Sequence, residues 1–385
     1  MKIQRVLILV IFILSNACIL TGCWNYREID KLAVVAGLAV DKSEEEGKYE
    51  LTVEIVDIKG GKETTTGSKV VSAKGDTMFD AVRNMIASTG KRLYWSHTKL
   101  IIISQDVAKD GVLKIVDWFD RDSETREDTD LLVARGERAK EIFTGERKTE
   151  EVISFQLSEM LKNEKSLSKA PRMEIWEFIN DLESEGVSAL VPAVELSKND
   201  GIPSPRINGA AIFKKDQIAG FADGEETKYI LFVKDKIQGG VLVQYQEEKD
   251  TVTPISLEIF KSNTKTKPVM GDKNVQINID IQTMTAIDEV QGTQNYVDGE
   301  GRLKLEKGAS QMLSRQVEGI IHKVQEEYNS DVFGFGAKIR EELPEVWNGL
   351  KPNWDKKFKT LQVSVNAKVK VKNSAMLSKP LEMGD

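Results

Sequence analysis

Two histidines and two cysteines are all the nitrogen and sulfur ligands that 385 residues offer. A zinc site needs such groups clustered, yet His97 and His322 lie far apart, and Cys18 and Cys23 sit together near the start. His322 falls beside the apolar stripe of a long helical pattern. His97, close to Trp95 ahead of an apolar strand, reads as a packed or capped side chain, the alternative being a pH-sensitive hydrogen-bond donor. No G-x-S-x-G, H-E-x-x-H or C-x-x-C occurs. The stretch Gly61–Lys69 (GKETTTGSK) has some look of a phosphate loop, but its spacing is one too long and its Lys and Ser are reversed, so it reads as a hairpin end. Asp120–Asp128 (DRDSETRED) alternates acids as a calcium loop does. It lacks glycine at the sixth position, and Leu131 stands where the twelfth would need Glu, leaving a solvated, self-paired loop. An acid pair for hydrolysis, such as Glu54 and Asp57, is separated by three positions in a strand and so lies on opposite faces.

The thiol that invites chemistry is Cys23. Lys2 and Arg5 precede an unbroken apolar run, Val6–Leu14, softened by Ser15 and Asn16 before Ala17–Leu20. That is the h-region of a signal peptide, short for a bilayer span. An ordinary signal peptidase needs small residues at −1 and −3, whereas a cut before Cys23 puts Gly22 at −1 and Leu20 at −3. Leu20-Thr21-Gly22-Cys23 resembles a bacterial lipobox instead. The resemblance implies a diacylglyceryl thioether on Cys23 and cleavage between Gly22 and Cys23. Two acyl chains make anchoring stable where one is marginal. Trp24 and Tyr26, immediately after the lipid, are amphipathic aromatics suited to the headgroup region or to a partner; packing on the first domain is the competing account.

Removing residues 1–22 takes away Lys2 and Arg5 and no acid, leaving 52 basic against 61 acidic residues, a net charge of −9. Such a balance argues against nucleic acid as a partner. The remaining 363 residues suit two or three domains. With Cys18 lost with the leader and Cys23 lipidated, no thiol is left for a disulfide, so packing alone must stabilise the body.

Periodicity organises that body. Leu32–Val40 and Leu51–Ile58 predict a hairpin, and Met78–Thr89 a helix with Phe79, Val82 and Ile86 on one face, stopped by Gly90. Leu100–Ile103 and Leu131–Ala134 are short apolar strands, and two helices follow near Thr149–Asn163 and Met173–Leu182. Val187–Leu196 is extended. Lys198–Pro205, with two prolines and an Asn-Asp-Gly turn, reads as the linker. Beyond it, Ile207–Phe213 and Ile218–Phe221 form a second hairpin, and Val252–Lys261 and Val275–Ile281 are strands. A helix from about Glu306 to Asn329 carries Ala309, Leu313, Val317, Ile320, Ile321, Val324 and Tyr328 on one stripe. Leu361–Val371 alternates strictly, one face dry and one wet. The expected fold is α+β and multi-domain: mostly antiparallel sheets packed on helices, with one long helix in the C-terminal domain. The expected organisation is a leader at 1–22, an N-terminal region at 23–200, a C-terminal domain at 206–372 and a tail at 373–385. The N-terminal region divides into subdomains, about 23–75 with 185–200, and 76–184.

These residues resemble a known family, the Ger(x)C or GerAC-like C subunits of spore germinant receptors. Cys23, Trp24, Arg27, Glu28, Ile29 and Asp41 match its mature N-terminus; Asn25 stands where the family usually has Asp. Trp95 and His97 before a buried strand, Asp117–Asp122 at a helix end, and Asp331–Gly336 with Pro344, Trp347 and Trp354 follow its pattern in kind and order. The resemblance implies a non-catalytic lipoprotein on the outer face of the spore inner membrane. Its partners would be two integral-membrane subunits, A and B, with which it senses small nutrients and commits the spore to germinate. It implies no cofactor beyond the diacylglyceryl group, no metal, and marks no residue of this chain for the nutrient. The alternative is a lipid-anchored solute-binding protein of a transporter, which would show two doubly wound lobes with parallel strands rather than hairpins.

Overall fold

The computed structural model describes residues 3–8, 31–59, 65–136, 138–145, 152–199, 201–248, 251–271, 274–291, 295–296 and 299–374. Thirteen strands form two sheets among them. The first runs β3 (Thr65–Gly75), β2 (Tyr49–Lys59), β1 (Leu32–Lys42), β5 (Leu100–Ser104), β6 (Asp130–Ala134), β7 (Leu190–Asn199), β8 (Ile202–Lys214) and β9 (Gln217–Ala222), with β4 (Arg92–Tyr94) beside β1. The second is β10 (Val241–Glu248), β11 (Thr251–Met270), β12 (Val275–Val290) and β13 (Gln362–Ser374). Each is packed against helices, as the α+β expectation requires.

Both ends of the first sheet are antiparallel hairpins, but its centre, β1-β5-β6-β7, is parallel. A parallel strand buried on both faces needs a continuous apolar run rather than alternation. Leu100-Ile101-Ile102-Ile103 supplies one: Ile101 and Ile103 enter the core on one face, Leu100 and Ile102 the core on the other. Helices α1 (Met78–Thr89), α2 (Gln105–Asp110), α3 (Leu113–Arg121) and α6 (Ile175–Glu183) cover the first face; α4 (Ala139–Thr144) and α5 (Ile153–Asn163) cover the second. Hairpin strands alone therefore do not describe this region. One continuous sheet also joins the two expected subdomains, because β1 pairs directly with β5 and β6 with β7.

The expected linker is itself sheet. Lys198 pairs with Pro203 and Asn199 with Ile202, so the antiparallel pairing of β7 and β8 continues through the stretch expected to be a linker. Pro203 and Pro205 are tolerated because β9 reaches only Ala210–Lys214 of β8, leaving the proline end a free edge. The strands placed after the linker, β8 and β9, complete the first sheet. In β8, Ala211 and Phe213 belong to the N-terminal core while Ala210 and Ile212 belong to the C-terminal core. One strand is a wall of both.

Helix α1 starts and stops where expected, with the Thr77 hydroxyl accepting from Asp80 N–H and Gly90 at φ 63°. Its buried face is turned, however: Met78, Ala81, Val82 and Met85 are inside, while Phe79 and Ile86 are 46% and 37% exposed. Gly75 decides this, because Ala81 lies so close that a Cβ at Gly75 would come within 2.2 Å of its nitrogen. The sequence reading left out α7 (Gly224–Val233), which is buried nearly all round and lacks an amphipathic stripe; its Asp223–Glu226 capping box was the available signal.

In the second sheet, the long helix α8 (Gly299–Lys323) continues as a π turn through Tyr328 and ends on Asn329 at φ 46°. It carries the chain from β12 to its parallel neighbour β13. Three of its side chains, four residues apart on one stripe, seal the edge of that strand. Glu306 accepts from Val371 N–H at 2.9 Å, Ser310 from Val369 N–H at 2.9 Å and Ser314 from Ala367 N–H at 3.0 Å. Those are the donors that an exposed edge would offer to another chain. Helices α9 (Phe335–Glu342), α10 (Pro344–Leu350) and α11 (Trp354–Lys359) complete the C-terminal core.

Candidate functional site

The residues singled out for lipid attachment and membrane contact, Gly22, Cys23, Trp24 and Tyr26, lie outside the described residues. Residues 3–8 are helical, and Ile3, Val6, Leu7 and Ile8 are 61–84% exposed, outside all three buried clusters. Description resumes at Lys31, one residue before β1. Among the described residues no helix is long and apolar enough to cross a membrane.

The side chains considered for catalysis are dispersed and occupied. His97 is exposed rather than packed or capped, and it meets Tyr94 edge-on with centroids 5.7 Å apart. Beside it, buried Trp95 packs edge-on against Trp118 at 5.6 Å. His322 is exposed on α8, its Nδ1 3.3 Å from Glu326. In Asp120–Asp128, Arg126 grips Asp128 with two bonds of 2.8 and 2.6 Å, and Glu124 pairs with Arg92. Among the described residues no group of three or more His, Cys, Asp or Glu could hold a metal. Of the GKETTTGSK stretch, residues 61–64 lie outside the described residues; Ser68 donates to Glu54 and Lys69 to Asp57.

Glu54 and Asp57 do not meet. Asp57 faces Lys69 at 3.1 Å. Glu54 is fully buried, where a bare carboxylate would be very costly, and it is instead the cap of α5. Its oxygens accept from Ile153 N–H at 3.0 Å, Ser154 N–H at 2.8 Å, Ser154 Oγ–H at 2.6 Å and Ser68 Oγ–H at 2.7 Å. The same device recurs. Asp41 accepts from Ala139 and Lys140 N–H at the start of α4, and burial raises its carboxyl against the pull of those bonds and Arg138. Asp331 accepts from Phe335 N–H at 3.0 Å and Gly336 N–H at 2.8 Å at the start of α9. Each carboxylate faces a positive helix end with free donors, so these three acids serve architecture. Sequence reasoning missed these roles because each cap is distant in sequence from its helix or, for Asp331, hidden in a Gly-rich exit.

Asp331 also lies at the junction of the two domains. Its carbonyl accepts from Ser188 N–H at 2.9 Å, and Gly186 O accepts from Ala337 N–H at 2.9 Å. The backbones approach so closely there that a Cβ on Gly186, at φ +75°, would sit 2.5 Å from the Gly336 carbonyl carbon. Lys234 donates to Val332 O at 2.7 Å; Tyr328 donates to Phe221 O at 3.0 Å, and Ser330 Oγ donates to Phe213 O. Burial pushes the Asp331 carboxyl up to about 6, opposed by its two amide bonds and by Lys234, while burial lowers the Lys234 ammonium. The junction is thus dense and polar at its centre.

Comparison with known proteins agrees with this architecture. Residues 25–196 match the spore germination protein N-terminal domain, and residues 208–375 match the spore germination B3/GerAC-like C-terminal domain. That division falls inside the β7–β8 hairpin. Similar proteins of Bacillus subtilis strain 168 include spore germination protein B3, 27% identical over 94% of this chain and 96% of its own length. Spore germination protein KC is 24% identical over 98% of both chains. The crystal structure of the GerBC protein superposes with a TM-score of 0.55 at 26% identity, covering 88% of this chain and 97% of that one. With both halves matched and the same fold found in a solved relative, the chain belongs to the GerAC-like, or Ger(x)C, family of spore germination proteins.

Proposed function

We propose that this protein is the lipid-anchored, non-catalytic subunit of a nutrient germinant receptor. It is held on the outer face of the spore inner membrane and acts as a tethered scaffold for two integral-membrane subunits, A and B. The observation that carries the reading is Leu20-Thr21-Gly22-Cys23 standing directly ahead of a body matched in both halves to spore germination proteins. Diacylglyceryl on Cys23 leaves residues 24–31 before β1, a spacer reaching at most about 30 Å. The body is confined to a thin layer above the bilayer, where high effective concentration lets a modest polar interface with the partners persist. Trp24 and Tyr26 would settle in the headgroup region beside the lipid.

Replacing Cys23 with Ala tests this. The variant is expected in the soluble fraction, with nutrient-triggered germination lost; unchanged membrane retention overturns the tether. Affinity purification from detergent-extracted spores is expected to recover two polytopic membrane proteins. Recovery of an ATP-driven permease instead would favour a solute-binding protein.

A further inference from the structure

Where the two domains meet, one side of the junction opens into a cleft of about 470 Å³, the scale of a small-molecule site. The N-terminal domain contributes the end of α6, the strap from Ser184 to Ala189 and the β8–β9 turn; the C-terminal domain contributes Asn329–Asp331 and the face of α11. The two domains touch directly at the cleft, where Ser188 N–H donates to Asp331 O and the backbones of Gly186 and Gly336 come together. The cleft is therefore built into the fold and does not depend on a loop closing over it.

Its charges are unevenly matched. Lys214 is taken by Asp355 at 3.0 Å, and Lys234, beneath the cleft, is committed to Val332 O. Two carboxylates that line the cleft, Asp181 and Asp216, make no side-chain hydrogen bond or ion pair with any described residue. Asp181 is half-buried, and burial raises its carboxyl although the charges of Lys234 and Lys236, neither of which bonds to it, work the other way. Asp216 is half-buried, with Gly111 so close that a Cβ there would meet its Oδ2 at 2.5 Å. Trp354 and Phe358 give the cleft an aromatic part to its lining. Elsewhere in this molecule enclosed acids are fully capped, as at Glu54, Asp41 and Asp331.

From this cleft we infer a binding site for a small primary ammonium compound with an apolar side group, an alkylamine or an apolar amino acid. The ammonium meets Asp181 and Asp216, where it supplies the charge and donors they lack, and the side group lies on Trp354 and Phe358. Lys215, exposed on the β8–β9 turn, stands at the rim for a carboxylate, so a zwitterion can use both signs. Because the walls belong to different domains, an occupant touches both at once. The inference goes beyond the receptor assignment and stands independently of the lipid and of the partners.

Full-length protein in detergent is titrated calorimetrically, and by tryptophan fluorescence, with three probes of one carbon skeleton: 3-methylbutylamine, L-leucine and 4-methylpentanoate. Saturable binding of the amine or of leucine is expected, with none for the carboxylate alone. Asp181→Asn and Asp216→Asn should each weaken binding about tenfold or more, with thermal melts unchanged because neither side chain holds a structural bond. Absence of saturable binding by both ammonium probes, equal binding of 4-methylpentanoate, or full affinity in a folded Asp181→Asn variant overturns the inference. None of these results bears on membrane anchoring or partner recovery.

Discussion

The centre of the first sheet and the second sheet bury their strands in different ways. In β5 every residue is inside, and successive side chains supply two separate cores. In the first half of β12 every other residue is inside: Val275, Ile277, Ile279 and Ile281 are buried, while Asn278, Asp280 and Gln282 face water. The first arrangement needs helices on both faces and makes the strand uniformly apolar. The second leaves a wet face and writes its orientation into the sequence. The difference explains why β12 and β13 are easy to place with their buried sides known, whereas β5 can be recognised as a strand but not assigned a direction or neighbours.

The sharpest way to break this contrast is to truncate adjacent residues. Ile101→Ala and Ile102→Ala should each lose about 4 kcal/mol of stability, since both leave cavities. In β12 Ile279→Ala should cost a similar amount and Asp280→Ala less than about 0.5 kcal/mol. Denaturant unfolding measures all four, and a mild Ile102→Ala would mean that the second core is not tightly packed.

The caps provide the next test. Glu54→Ala removes the acceptor of four donors beneath the two-sided sheet and is expected to cost about 3 kcal/mol. The α5 amides should gain hydrogen-exchange rates first. The junction cap behaves differently with pH. Asp331 has a folded carboxyl at about 6 against an ordinary 3.8, so the folded state binds the proton more tightly. Its stabilising contribution is fully present below about pH 4 and is lost as pH rises through about 6, by at most about 3 kcal/mol. Unfolding from about pH 4 to about pH 8, compared with Asp331→Asn, isolates that slope; equal slopes would show that the amide bonds cancel the burial.

The smallest effects belong to the sealed edge. Ser310→Ala or Ser314→Ala should cost about 1 kcal/mol each. The double variant should also self-associate more at high concentration, which sedimentation would detect.

Much of this was legible because the signals are local. Thr77 and Gly90 bracket α1, the alternation from Leu361 to Val371 marks β13, and the α8 stripe is visible at a glance. What was not legible depends on distant partners. The face of α1 is chosen by Gly75 rather than by Phe79 and Ile86. The prolines at 203 and 205 read as a linker because only the short length of β9 reveals that their edge is free. Of the candidate site, the acids of Glu54 and Asp57 were correctly kept apart by strand parity, but the amides that occupy Glu54 lie a hundred residues further along the chain. The cleft is composed of residues from five separate stretches, none with a pattern of its own.

Strand β8 bears on how such a chain can evolve. Ile212 and Phe213, adjacent in sequence, are upholstery for different rooms. A crossover between two divergent relatives near residue 200 would give the second half a strand whose reverse side must suit the other parent's helices. Shuffling halves among these proteins is therefore viable only where that single ribbon is compatible on both sides, and a hybrid that fails should recover by grafting residues 202–222 from the donor of the first half.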